Sequence, residues 1–323
     1  MKSKILNILL PALALTMAAC GDSFEFGTPT HDLDEKTDFT RGTEQVLWKN
    51  KGAVYETKRI HNYRIPGLVR TPHKLFAFCE AREETGSTNK DGGDIDLVYR
   101  VSTDGGTTWG PSQVFFDDED NTCGNACAVY TESGRLVVFC CWQRTGTTEA
   151  KFKSKYFTFE ESQRYGCHAV SFYSDDEGET WNGPFKWFTE NRNSNPEQYE
   201  WTGFLKVGPS HAIQLRTGEH KGRILVGCDH KYKTFAGKAI TDTESEDYYG
   251  SHVAYSDDDG LTWNMLELDE ELHYGNECTP VELSDGRIYL DMRSTGVYKK
   301  QRGWSVSEDG GITWSEARQS PVS

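Results

Sequence analysis

The sequence predicts an all-β protein assembled from a repeated strand unit, and three observations carry that prediction. An octet of the form S-x-D-x-G-x-T-W occurs four times: STDGGTTW at 102, SDDEGETW at 174, SDDDGLTW at 256 and SEDGGITW at 307. Between the octets stand short apolar runs such as RLVVFCCW, HAVSFYS, GRILVGC and GWSVS. They are rich in β-branched and aromatic residues and end on Gly, Asp or Ser, the pattern of strands. No long stretch holds a helical apolar period.

Composition bounds the class. The chain has 323 residues, 26% of them charged, and 31 glycines, which suits a turn-rich globular protein. A net charge of −15 argues against a nucleic-acid partner. Acidity also gives no long-range pull on an anionic substrate, so any anion site must be built locally from arginines.

From the N-terminus, MKSK followed by ILNILLPALALTM and AAC reads as an export signal over residues 1–20. Its apolar run is too short to span a membrane. The ending on Cys20 resembles a bacterial lipoprotein signal, with Cys20 as the lipidated residue; an ordinary cleaved signal is the alternative. Residues 21–45 are polar and patternless, a tether, and 46–323 form the folded domain. The expected location is the periplasm or cell surface, held at the membrane by the lipid.

Eight further cysteines follow. Cys79, Cys140 and Cys141 lie in apolar runs (LFAFCEAR, LVVFCCW), where a thiol acts as a small hydrophobe. Cys123 and Cys127 are spaced C-x-x-x-C with no second ligand pair, so no metal is expected. No cofactor is expected either.

Each octet reads as a hairpin turn between the last two strands of a unit. The Asp accepts backbone N–H bonds across the turn, Gly supplies positive φ, and Thr-Trp opens the next strand with the Trp packed between layers. Successive octets begin 72, 82 and 51 residues apart; the shortest spacing is close to one four-stranded blade of roughly 40–50 residues. Here the chain resembles the sialidase (neuraminidase) family, whose Asp boxes have this form. The resemblance implies a six-bladed β-propeller, cut here to about four blades, and terminal sialic acids of glycans as substrate.

Other segments carry the same resemblance. YRIPGLV at 63–69 and LFAFCEAR at 75–82 place Arg64 and Arg82 where the family binds substrate. A sialic acid bears a carboxylate, which planar guanidinium groups grip bidentately. In NKDGGDIDLVYR, Asp91 stands where the family has its acid/base Asp, with Asp94 and Asp96 as structural competitors. Gly86, Gly92 and Gly93 would let that loop move. CGNACAV resembles a pocket-lining segment and makes Asn125 a ligand candidate, although Ala126 stands where the family often has Pro. GNECTPVELSDGRIYLDMRS is a hairpin that brings Glu277 and Arg293 to one edge; Glu282 lies by its turn. GPSHAIQL and GRILVGCDHK also match, with His211 and His230 read as packed or hydrogen-bonded strand residues.

The implied mechanism is glycoside hydrolysis with a Tyr nucleophile. A neutral phenol is not repelled by the carboxylate on the anomeric carbon. Glu277 would be its base, Asp91 the general acid and then base, and Arg64 and Arg293 two of three arginines on the carboxylate. The third arginine and the Tyr have no match before Ser323; Tyr298 and Arg302 lie too early. A non-catalytic glycan-binding propeller, a truncated inactive relative, and a glycosidase or lyase for another acidic sugar are the rival readings.

Overall fold

The computed structural model describes residues 44–50, 53–55, 58–83, 91–147, 166–187, 201–232, 234–235, 238–239, 249–265, 275–294 and 301–320. The signal segment, Cys20, the tether up to 43, Gly86 and Tyr298 lie outside them. Every regular element described is a strand.

The strands fall into four successive antiparallel groups. The first holds β1 (Ala53–Tyr55), β2 (Lys58–Arg70), β3 (Leu75–Glu83), β4 (Ile95–Ser102) and β5 (Gln113–Phe116). The second holds β6 (Thr122–Tyr130), β7 (Leu136–Gln143), β8 (Cys167–Ser174) and β9 (Asn182–Lys186). The third holds β10 (Trp201–Gln214), β11 (Ile224–Tyr232), the small hairpin β12 (Thr234–Phe235) and β13 (Lys238–Ala239), then β14 (Tyr249–Ser256) and β15 (Asn264–Met265). The fourth holds β16 (Gly275–Glu282), β17 (Ile288–Ser294), β18 (Gly303–Ser307) and β19 (Arg318–Gln319). These are four blades of a β-propeller. Blades 1 and 2 touch through one parallel bridge, Ile95 to Thr122, and blades 2 and 3 through another, Phe204 to Cys167.

The core lies between blades because each sheet is apolar on both faces. Phe76, Phe78, Leu97 and Tyr99 of blade 1 meet Val138, Val170 and Phe172 of blade 2. Phe139 and Trp187 of blade 2 meet Phe204, Val207 and Val226 of blade 3. Leu225 and Val253 of blade 3 meet Ile288, Leu290 and Met292 of blade 4. All eight described cysteines are buried, Cys79 against Ile60, Ala81 and Val98 on the other face of blade 1 and the rest in these layers, which bears out the reading of Cys79, Cys140 and Cys141 as small hydrophobes. Burial pushes thiols such as Cys123 and Cys140 well above their usual range.

The octets join the last two strands of every blade, as expected, and repeat one set of bonds. In the first, Asp104 Oδ1 accepts the Thr108 N–H at 2.8 Å and Oδ2 the Thr108 hydroxyl at 2.6 Å. Asp176, Asp258 and Asp309 hold Thr180, Thr262 and Thr313 in the same way. The Thr therefore closes the turn rather than opening the next strand. The leading Ser does work that the sequence reading did not assign. Buried Ser102 Oγ donates to Asp104 at 2.8 Å and accepts the Gly106 N–H at 2.8 Å. Ser174, Ser256 and Ser307 repeat it.

The fifth octet residue is Gly for two reasons. Its φ is 80° at Gly178 and 84° at Gly260, and a Cβ on Gly178 would lie 2.7 Å from Phe76 of the preceding blade. A latch crosses the same seam. Lys74 Nζ donates to the Glu177 carbonyl at 3.0 Å, Arg135 Nη1 to that of Asp259 at 3.2 Å and Arg223 Nη1 to that of Gly310 at 3.0 Å. Each cation immediately precedes a strand of one blade, β3, β7 or β11, and holds the octet of the next.

Candidate active site

At the end of the blades away from the octets, the innermost strands β2, β6, β10 and β16 each carry a register shift: Arg64/Gly67, Gly124/Cys127, Val207/Ala212 and Gly275/Cys278. A bulge re-aims side chains and is common beside active sites. Two bulge residues have left-handed backbone, Ile65 with φ 54° and Asn125 with φ 57°. Asn tolerates that region, but for β-branched Ile it is a genuine outlier, strain of the kind held at functional sites.

These bulges surround one cavity of about 230 Å³. Its lining includes all six of the expected residues, Arg64, Arg82, Asp91, Asn125, Glu277 and Arg293, drawn from three blades. The convergence is long-range: Arg64 and Arg293 are over two hundred positions apart in sequence.

On the wall formed by blades 1 and 2, Arg82 is buried and each of its three guanidinium nitrogens donates a hydrogen bond. Nε and Nη2 donate to Glu80 Oε2 at 2.9 and 2.6 Å, and Nη1 to Asp91 Oδ1 at 2.7 Å. Arg64 Nη1 lies 3.8 Å from the same Asp91 oxygen. Burial would push the Asp91 carboxyl up. The hydrogen bond and charge of Arg82 outweigh it, Lys206 and Arg64 add to them, and Asp91 is held below the usual carboxylate range. Asp94 and Asp96 point elsewhere and pair with Lys58 at 3.2 and 3.1 Å, which bears out their structural reading. Asn125 lines the cavity while its Nδ2 donates to the Val207 carbonyl of blade 3 at 3.0 Å.

On the opposite wall, Arg293 Nη1 donates to Glu277 Oε2 at 3.0 Å. The hairpin does bring its two ends together. The Asn before the Glu has a function of its own: Asn276 donates to buried Asp229 at 3.2 Å, and its carbonyl accepts from Ser251 Oγ at 2.7 Å. Both bonds fasten the start of β16 to blade 3. Glu282 lies at the far end of β16, capping the Arg216 and Thr217 N–H groups at 2.8 and 3.0 Å. Arg302 pairs with Asp291 at 2.6 Å. His230 is buried with its Nδ1 2.9 Å from that of His252, as a packed residue, whereas His211 is exposed on β10.

Glu80, Gln143, Lys206, Asp229 and Asn276 also line the cavity and were not singled out from the sequence. Lys206 had a signal: it is the one charge in the run GFLKVG. Among the described residues no tyrosine lines the cavity, and no cluster of His, Cys, Asp or Glu could hold a metal.

Residues 73–323 match the family model described as a BNR repeat-like domain. The chain belongs to the BNR-repeat sialidase family. It is 27% identical over 317 residues to a sialidase of Paraclostridium sordellii, covering 96% of this chain and 69% of that one. To a sialidase of Micromonospora viridifaciens it is 29% identical over 282 residues, covering 84% of this chain and 39% of that one. Its fold is similar to the leech intramolecular trans-sialidase complexed with 2,7-anhydro-Neu5Ac, with a TM-score of 0.63, 17% identity, and 85% and 54% of the two chains covered. This family member thus presents its cavity at the bulged ends of the inner strands.

Proposed function

We propose that this chain carries the substrate cavity of an exo-α-sialidase that releases terminal sialic acids from glycoconjugates with retention. The observation that carries the reading is the gathering of two exposed arginines, Arg64 and Arg293, with Asp91 and Glu277 around one cavity. Arg64 and Arg293 grip the substrate carboxylate. Asp91 protonates the leaving sugar oxygen and then activates water. Glu277 takes the proton of the nucleophile, a role for which no residue of this chain is assigned. Asp91 is an anion in the free protein, so it must gain a proton before it can act. A carboxylate arriving at Arg64 weakens that cation's hold on Asp91 and favours protonation.

A binding-only reading is favoured by one observation: Asp91 is tied to Arg82 as a carboxylate. Incubation with 3′-sialyllactose separates the two. Release of free sialic acid, reduced about 100-fold in Asp91→Asn, supports the enzyme. Binding without release supports the glycan-binding module, and neither binding nor release ends the sialoside reading. We also infer export to the periplasm or cell surface and lipid anchoring at Cys20, supported by the N-terminal sequence. Loss of labelled fatty acid in Cys20→Ser checks it.

A further inference from the structure

Arg82 presents a problem that the cavity alone does not solve. An isolated buried guanidinium is costly and free to turn, yet its outward nitrogen is aimed at Asp91. Glu80 supplies the answer. It stands two residues before Arg82 on β3, so both side chains leave the same face of the strand. Its carboxylate is as buried as Arg82, with side-chain exposures of 4% and 6%. Oε2 accepts both Nε and Nη2 of Arg82, which fixes the guanidinium plane and leaves only Nη1 for the cavity. Oε1 turns the other way and accepts the Asn125 backbone N–H at 3.0 Å, at the left-handed corner of β6. Room for this bond is made by Gly124, where a Cβ would stand 2.5 Å from Glu80 Oε1.

We propose that Glu80 is a positioning residue: one buried carboxylate sets both the direction of Arg82 and the Asn125 corner, so blades 1 and 2 present a preformed wall to the ligand. Its bearing on sialosides rests on the reading above; its effect on Arg82 and Asn125 does not. The gain is preorganisation, since neither group has to be ordered when ligand arrives.

The test uses the full chain with Glu80→Ala, Glu80→Gln and Gly124→Ala, the last pressing on the carboxylate without removing it. Nitrogen–proton NMR follows the Arg82 Nε–H and the Asn125 amide in the free protein. Exchange about tenfold faster at both, in Glu80→Ala and Gly124→Ala with the melting transition still cooperative, is the expected result. Glu80→Gln keeps an acceptor oxygen and should fall between. Unchanged exchange at Arg82 in a folded variant overturns the proposal. Binding of 3′-sialyllactose then supplies a double-mutant cycle. Glu80→Ala should weaken binding about tenfold alone and clearly less in an Arg82→Ala background, where only the Asn125 corner is left to disturb. Additive losses would mean that Glu80 acts apart from Arg82 and would overturn it. If the unmodified chain does not bind 3′-sialyllactose, the sialoside reading fails, and the exchange data still decide the role of Glu80.

Discussion

The two ends of each blade solve different problems. At one end, four octets repeat a single bonding pattern, Ser to Asp and Gly, Asp to Thr, and the last three are held to the preceding blade by Lys74, Arg135 and Arg223. At the other end, each inner strand breaks register and presents something different: Arg64 from β2, Asn125 from β6, Lys206 from β10, Glu277 from β16. The strand before each octet runs from one end to the other, as β4 does from Ile95 to Ser102. Stability is repeated at one end and chemistry is varied at the other. A substitution at one end should leave the other largely intact.

The sharpest break of that rule is expected at Arg82, which belongs to the site yet is buried. Arg82→Ala strands Glu80 as an uncompensated buried charge and should cost about 3–5 kcal/mol of stability, besides impairing ligand binding. Denaturant unfolding measures it; a loss no larger than at an exposed arginine would refute the account of this wall. Next comes the octet end. Ser256→Ala leaves the Gly260 N–H without its acceptor and should cost about 1–3 kcal/mol, while sialoside affinity stays the same. Loss of affinity at equal folded population would show that the ends are coupled.

Arg293→Ala is the converse. Its pair with Glu277 is exposed, so unfolding should shift by less than about 1 kcal/mol while binding of sialosides is lost. The smallest effect is acid sensitivity. The Thr108 hydroxyl and N–H, with Ser102, hold Asp104 down to about 2, and Thr180 and Ser174 do the same for Asp176. Their contribution is complete above the ordinary value of 3.8 and fades as pH falls through about 2. Carboxyl titration by NMR should find both residues ionised at pH 3; ordinary titration would contradict the shared octet geometry.

What was readable in advance follows the same division. The octets announce themselves because a turn is local: Ser, Asp, Gly and Thr lie within seven residues of one another. The latch was missed, although GRL at 134, GRI at 222 and GRI at 286 repeat in the sequence, because its acceptors sit on the next blade. In the site, Arg64, Asp91, Glu277 and Arg293 were found through the sialidase resemblance. Glu80 was passed over, although Glu-Ala-Arg on a strand puts both charges on one face. Its second bond, to the Asn125 backbone, depends on a bulge that no local pattern reveals.

The central claim is that Arg64 and Arg293 bind a substrate carboxylate in a cavity prepared by blades 1, 2 and 4. Calorimetric titration of the chain with N-acetylneuraminic acid and, separately, with its methyl ester tests this most directly, because the two ligands differ at the carboxylate alone. Binding of the acid, lost in Arg64→Ala and absent for the ester, is the predicted result. Equal binding of acid and ester, or binding of the acid that is unchanged in Arg64→Ala, would contradict it.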